Sequence, residues 1–209
     1  FGEDLIFAAR GGNLFFWDAT DALTTRGVLL SSESGASNVP VKVNTVLVSD
    51  NRFVFCFGTN VLGSTDIDPM LLRWSDQENA VNWTPSSTNQ AGDLRLSKGS
   101  EIITAVQGRQ EILVWTDSAL YALQYVGAPA VWSSQTVGEN LSIASTRAVA
   151  YANGVAYWMG VGGFYRYDGR VQSLPCTVKR YIFNDFNTEQ YDQVFAGTNE
   201  AFSEIWWFY

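Results

Sequence analysis

Histidine is absent from the chain. That removes the commonest general base, the usual partner of a nucleophilic serine or cysteine, and the favoured zinc ligand together. Cysteine is nearly absent too: Cys56 lies in the apolar run FVFCFG and Cys176 in LPCTV. These settings are too unlike to argue a disulfide from spacing, and two buried thiols are expected. Lysine is confined to Lys42, Lys98 and Lys179, and 21 acidic residues outnumber 13 basic ones to give a net charge of −8. A duplex-binding surface needs clustered Lys and Arg to neutralise phosphates, so none is expected. No run approaches the ~18 consecutive apolar residues of a membrane helix, and no basic-then-apolar leader opens the sequence, so no membrane partner is expected. There is no GxSxG elbow, phosphate loop or GxGxxG fingerprint. These absences remove the commonest routes to catalysis and a structural zinc site, and no cofactor or metal is expected.

What the chain does have is flat, apolar surface. Aromatic residues make up 14% of the 209 and charged residues only 16%, against about 25% charged in an ordinary domain. Short apolar runs close on aromatics and are interrupted by tight-turn residues: LIFAARGGNLFFWD, FVFCFG rejoined by MLLRWSD, ILVWTDSALYALQY and VAYWMGVGGFYRYDG. Each reads as a β-hairpin turning at Gly11-Gly12, at Asp117-Ser118 or at Gly162-Gly163 where such residues are present. A further strand precedes each later hairpin, at KVNTVLVS, EIITAVQ, STRAVAY and DQVFAG. Units beginning near residues 5, 53, 112, 155 and 204 recur at intervals of roughly 40 to 60 residues, and periods of about 40 to 50 belong to propeller blades. The expected fold is all-β, a β-propeller-like repeat of four-stranded antiparallel blades in one domain over residues 1–209. A β-sandwich is the alternative, disfavoured by the long period. Helix is expected only briefly, at TEQYDQVF behind an N-cap at Asn187 or Thr188. The chain opens at Phe1 and stops inside the apolar run EIWWFY, from which a fragment of a larger propeller is expected.

Several stretches invite a chemical reading. Two carboxylates about 5 to 9.5 Å apart suffice for a glycosidase, and Asp66, Asp68, Asp76 and Glu78 are the candidates. Acidic residues beside Gly, Asn and Ser more often make Asx-turns, and that reading is preferred. The DID at Asp66 lacks the spaced ligands and glycine of a calcium loop. GVGGFY at Gly160 is glycine-rich but lies in a hairpin turn, without the strand-to-helix context of a phosphate cradle. FYRYDGR at Phe164 sets arginine among aromatics, as a single-strand nucleic acid binder would, and also fits plain alternation on a hairpin.

The polar stretch Arg73 to Asp93, RWSDQENAVNWTPSSTNQAGD, carries the clearest likeness. SDQENAVNW, Ser75 to Trp83, is similar to the Asp-box hairpin of sialidase-like propellers, although the usual glycine of the box is missing. In that family the box lies away from the catalytic pocket, so the similarity implies fold and not activity. RWSDQENAVNWTPSSTNQAGDLRL, ILVWTDSALYALQYVGAP, VAYWMGVGGFYRYDGRVQSLPCTVKRYIFNDFN and FSEIWWFY, in this order, resemble the tail nozzle or packaged-DNA stabilisation proteins of short-tailed bacteriophages. The resemblance covers Phe53 to Tyr209, and residues 1–51 match only as a generic blade.

The resemblance implies a non-enzymatic virion subunit built around a β-propeller. It implies a homo-oligomeric ring, typically a hexamer, meeting the portal or adaptor and other tail proteins, with the genome passing without sequence-specific binding. On this reading Trp74, Trp115, Trp158 and Phe164 fill spaces between blades. Asp76, Asp117 and Asp168 fix turns through side chain to backbone hydrogen bonds. Gly163 and Gly169 supply positive φ. Ser75 belongs to the box, and Trp83 and Pro85 anchor the long loop as a structural corner. The alternative function is a carbohydrate-binding or glycan-cleaving propeller of a phage tail.

Overall fold

The computed structural model describes residues 1–209. Its strands follow one another into sheets with no crossing. The first sheet is β1 (Leu5–Ala8), β2 (Leu14–Trp17) and β3 (Val28–Leu29), in that order. The second is β4 (Val43–Val48), β5 (Val54–Asn60), β6 (Ile67–Trp74) and β7 (Gly92–Arg95). The third is β8 (Ile102–Gln107), β9 (Glu111–Thr116), β10 (Ala119–Gly127) and β11 (Val131–Glu139). The fourth is β12 (Val149–Ala152), β13 (Val155–Met159), β14 (Phe164–Tyr167) and β15 (Val171–Leu174). A short helix, α1 (Lys179–Asp185), precedes a final pair, β16 (Phe195–Asn199) and β17 (Glu204–Phe208).

The fold is all-β, and three successive four-stranded meanders repeat the design of a propeller blade. A sandwich would distribute consecutive strands over two sheets by Greek-key connections, whereas here each sheet is completed before the next begins. The strand ahead of each later hairpin takes the first place in its sheet, as the sequence pattern requires: β4, β8, β12 and β16 all stand there. The pattern did not anticipate α1, which has no side-chain cap.

The chain divides into two compact units, Phe1–Ile102 with Gln124–Ser133, and Ile103–Leu123 with Ser134–Tyr209. In the first unit β5 is buried at every residue, which is why VFCFG reads as one continuous apolar run and not as an alternating one. One face of this region packs Ile6, Leu14, Leu30, Val43, Val54, Cys56 and Trp83 together. In the second unit Leu113, Trp115, Leu120, Ala156, Trp158, Met159 and Phe164 form the core, with Ile182, Phe183 and Phe186 of the α1 region packed against it.

Candidate functional site

Whether the stretch from Arg73 to Asp93 is a site or a structural corner is decided by where β6 leaves its last two side chains. Across β5, β6 and β7 the register sets Cys56, Arg73 and Asp93 side by side, and Phe55, Trp74 and Gly92 side by side. Neighbouring residues of a strand point to opposite faces, so Arg73 and Trp74 part company. Trp74 lies over Gly92 so closely that a Cβ there would stand 2.5 Å from its Cζ2. Its indole N–H donates to Gln90 O at 2.7 Å. Arg73 is buried on the other face, and its Nη2 donates to Asn38 O at 2.7 Å.

The loop that follows satisfies its own polar groups. Ser75 Oγ accepts from Val54 N at 3.0 Å and donates to Asp76 O. Asp76 Oδ1 accepts from Gln77 N and from Gln90 N, both at 2.9 Å, so one carboxylate oxygen joins the two ends of the loop. Asn79 Oδ1 accepts from Val81 N and Asn82 N. Trp83 is buried with its indole N–H on Ala80 O at 2.7 Å, while its backbone N donates to Ser37 O. Thr84 Oγ1 bonds the hydroxyl of Ser37 and the amide of Asn38. Pro85 is exposed, so the expected anchoring falls to Trp83, because a surface ring contributes little burial.

The other residues singled out in the sequence divide similarly. Trp115 and Trp158 are fully buried and meet edge to face, with ring centroids 5.4 Å apart. One comes from β9 and the other from β13, so this pair fills the space between the third and fourth sheets within the second unit. Phe164 packs on Phe183 and on Trp207 of β17. Asp117 is exposed, and the bonds that close its turn run to Thr116 Oγ1, from Ala119 N at 2.9 Å and from Ser118 N at 3.3 Å. Asp168 lies 3.5 Å from Arg166 Nη2 as an exposed ion pair, not as a side-chain acceptor for its turn. Gly169 has a φ of 101°, but Gly163 has no positive φ; its carbonyl accepts from Gly160 N instead. Cys56 is a buried thiol, and burial pushes its ionisation up, whereas Cys176 is only partly buried.

The remaining chemical candidates are already engaged. Asp68 accepts from Arg95 Nε at 2.6 Å and from Met70 N. Asp66 accepts from Ser64 Oγ, and Glu78 pairs with Arg52 at 2.8 Å on the surface. Arg166, in the stretch weighed as a nucleic acid contact against plain hairpin alternation, holds Gln172 Oε1 through two of its nitrogens, and Tyr165 beside it stacks on Trp158. No group of three or more acidic, cysteine or histidine side chains comes together as metal ligands would. Tyr167 is buried near Glu111; burial, then the Glu111 charge and hydrogen bond, push its phenol up to about 12.

Two features carry no motif. One is the outward face of the last strand pair: Phe195, Trp206 and Phe208 share it and are all about half exposed, with Phe195 and Phe208 stacked at 4.6 Å. Alternation in EIWWF hints at it, since Ile205 and Trp207 turn inward and Trp206 and Phe208 outward. The other is the cavity beside Arg73, whose lining is drawn from residues 38 to 73 and leaves no local signal. Compared with protein families and with curated proteins, the sequence matches no family model and no curated relative.

Proposed function

We propose that this chain is a non-enzymatic structural subunit of a bacteriophage virion, part of the tail channel or nozzle below the portal that retains and then releases the packaged genome. The observation that carries an assembly role is the exposed aromatic face of β16 and β17. Contiguous apolar surface of this kind is costly to leave in water and marks a place where another protein sits. The first sheet offers a counterpart, with Leu5 and Phe7 exposed and the Phe7 and Phe15 rings stacked at 5.5 Å. Placement in a tail, and a ring of six copies meeting portal or adaptor and tail proteins, rest on the sequence resemblance. The net charge of −8 accords with it: a channel lined with like charge does not hold the DNA that must leave.

The test is the copy number of this chain relative to the portal protein in purified particles, by quantitative mass spectrometry. One ring per portal is expected. Absence from particles, or a large excess over the portal, would sink the proposal. A carbohydrate-binding role remains the second reading because of one cleft in the second unit. It is about 330 Å³ and lined by Tyr157, Trp207, Asn153, Asn199 and Glu200 among others. Its mixture of aromatic and amide groups suits a sugar. Glycan-array binding by the purified chain would promote that reading.

A further inference from the structure

Arg73 is the charged side chain that the first unit buries. Arg73 is only 2% exposed, and it forms no ion pair. Of its five N–H donors, Nη2 makes one short bond to Asn38 O, at 2.7 Å, and one long bond to Trp83 O, at 3.4 Å. Nη1 makes one more at 3.4 Å, to Asn60 O. Two of the three therefore lie near the limit of hydrogen bonding, and the Nε–H and one Nη1–H have no acceptor within the protein. Burial of this cation is expensive: carbonyl dipoles return only part of the lost hydration, and the counter-charge of Asp93 acts on it without forming an ion pair. Asp93 stands across the strand pair on the same face, yet it is exposed and makes no ion pair with Arg73.

The same side chain opens onto a cavity of about 510 Å³. Around it stand Asn38, Val41, Asn60, Ser64 and Thr65. The wall is built firmly: Asn60 Oδ1 accepts from Val41 N and Lys42 N, and its Nδ2 donates to Ser64 O at 2.7 Å. Two chain segments that border the cavity are thereby tied to the end of β5. Thr65 on the rim is exposed and has no hydrogen bond of its own. Ser64 Oγ donates to Asp66 Oδ2.

We propose that this cavity is a binding site for a small oxyanion, a carboxylate or a phosphate-like group, with Arg73 as its charged anchor and the Thr65 hydroxyl as a second donor. The guanidinium offers uncommitted N–H groups in a fixed plane, the arrangement that charged oxygen acceptors complement best. Low local dielectric strengthens that contact relative to one on the surface. The site does not depend on whether the chain assembles in a virion.

The test is a thermal-unfolding titration of the full chain with inorganic phosphate, sulfate and acetate, each against chloride at equal ionic strength and pH. At least one oxyanion is expected to raise the midpoint by a few degrees, saturating in the millimolar range. Preference for phosphate and sulfate over acetate would identify a tetrahedral ligand, and the reverse order a carboxylate. Because Arg73→Met removes a side chain that also ties three segments together and can fail to fold, the deciding variant is Thr65→Glu. Its tethered carboxylate should occupy the Arg73 donors, raise the midpoint without added anion, and weaken the response to oxyanions at least ten-fold. No oxyanion exceeding chloride, or a full response persisting in Thr65→Glu, would overturn the proposal.

Discussion

Gly92→Ala should unsettle the first unit more than its size suggests. The added Cβ would stand 2.5 Å from Trp74 Cζ2 and 2.9 Å from Cε2, where real contacts are about 3.5–4.0 Å. The indole has little room to yield: its N–H is bound to Gln90 O at 2.7 Å, and Phe55 lies 6.0 Å away between centroids. Overpacking of this kind costs about 1–3 kcal/mol, and a weakened indole hydrogen bond adds about 1 kcal/mol. Together that is about 2–4 kcal/mol. For a urea slope of about 2 kcal/mol/M, the middle of the usual range, the midpoint should fall by roughly 1–2 M, read by circular dichroism so that the signal survives loss of a tryptophan. The double-mutant cycle isolates the cause. Trp74→Ala alone should cost about 3–5 kcal/mol, and Gly92→Ala added to it should be neutral or slightly stabilising, because the methyl enters vacated space and restricts the unfolded chain. The coupling between the two sites should be at least about 2 kcal/mol. An unchanged midpoint for Gly92→Ala, or the same penalty with and without Trp74, would refute the close approach.

Trp115→Ala should cost about 3–5 kcal/mol, since a fully buried ring is removed from between two sheets; an unaltered denaturation midpoint would take it out of the core. Asp76→Asn keeps an acceptor oxygen for Gln77 N and Gln90 N and should be nearly neutral, whereas Asp76→Ala should cost about 1–3 kcal/mol in the same assay. Stability should also fall in alkali through Tyr167, whose folded phenol titrates near 12 against an ordinary 10.0. A raised folded value favours the neutral form, so the contribution is whole below pH 10 and is lost as pH rises from 10 to 12. The loss should reach about 2 kcal/mol by pH 12 and be absent in Tyr167→Phe, as unfolding free energies measured across that range would reveal.

Much of the blade pattern was legible because it depends on neighbours in sequence. Short apolar runs broken at Gly11-Gly12, Asp117-Ser118 and Gly162-Gly163 do bound β1 and β2, β9 and β10, and β13 and β14. Asn187 caps the turn after it, its side chain accepting from Glu189 N. Asn153-Gly154 links β12 to β13 as a two-residue turn with both φ values positive, 52° and 83°, the strongest short hairpin signature. Helix α1 was harder to see, because its seven residues have no capping side chain and its stability comes from packing Ile182 and Phe183 on the core. Gly163 was misassigned for a related reason: a glycine in a turn sequence does not reveal which of its neighbours takes the unusual φ. Arg73 was beyond reach altogether. Nothing in IDPMLLRW distinguishes a solvated arginine from one whose acceptors lie on Asn38, Asn60 and Trp83.

The tryptophans weigh the two functional readings against each other. A sugar platform needs rings turned outward with polar edges available. Here Trp74, Trp83, Trp158 and Trp207 each direct the indole N–H to a backbone carbonyl, on Gln90, Ala80, Ser142 and Ala148 respectively. Each such bond ties a strand or loop to a distant or folded-back segment, and the ring is buried or half-buried in the process. Trp115 and Trp132 are buried without an acceptor, edge-on to Trp158 and to Phe55, where the face of a neighbouring ring is a weak substitute. Trp17 is half-buried with its N–H on Thr25 O. Only Trp206 is more than half exposed; its N–H is on Glu204 Oε2, and the ring stands beside Phe208 and across from Gly197 on a strand face, not around a cleft. A strand face fits the side of another sheet better than the hydroxyl-studded edge of a sugar ring. The aromatic wealth of the sequence therefore argues for stacking of protein on protein, and the one tryptophan left outside lies where that stacking would continue.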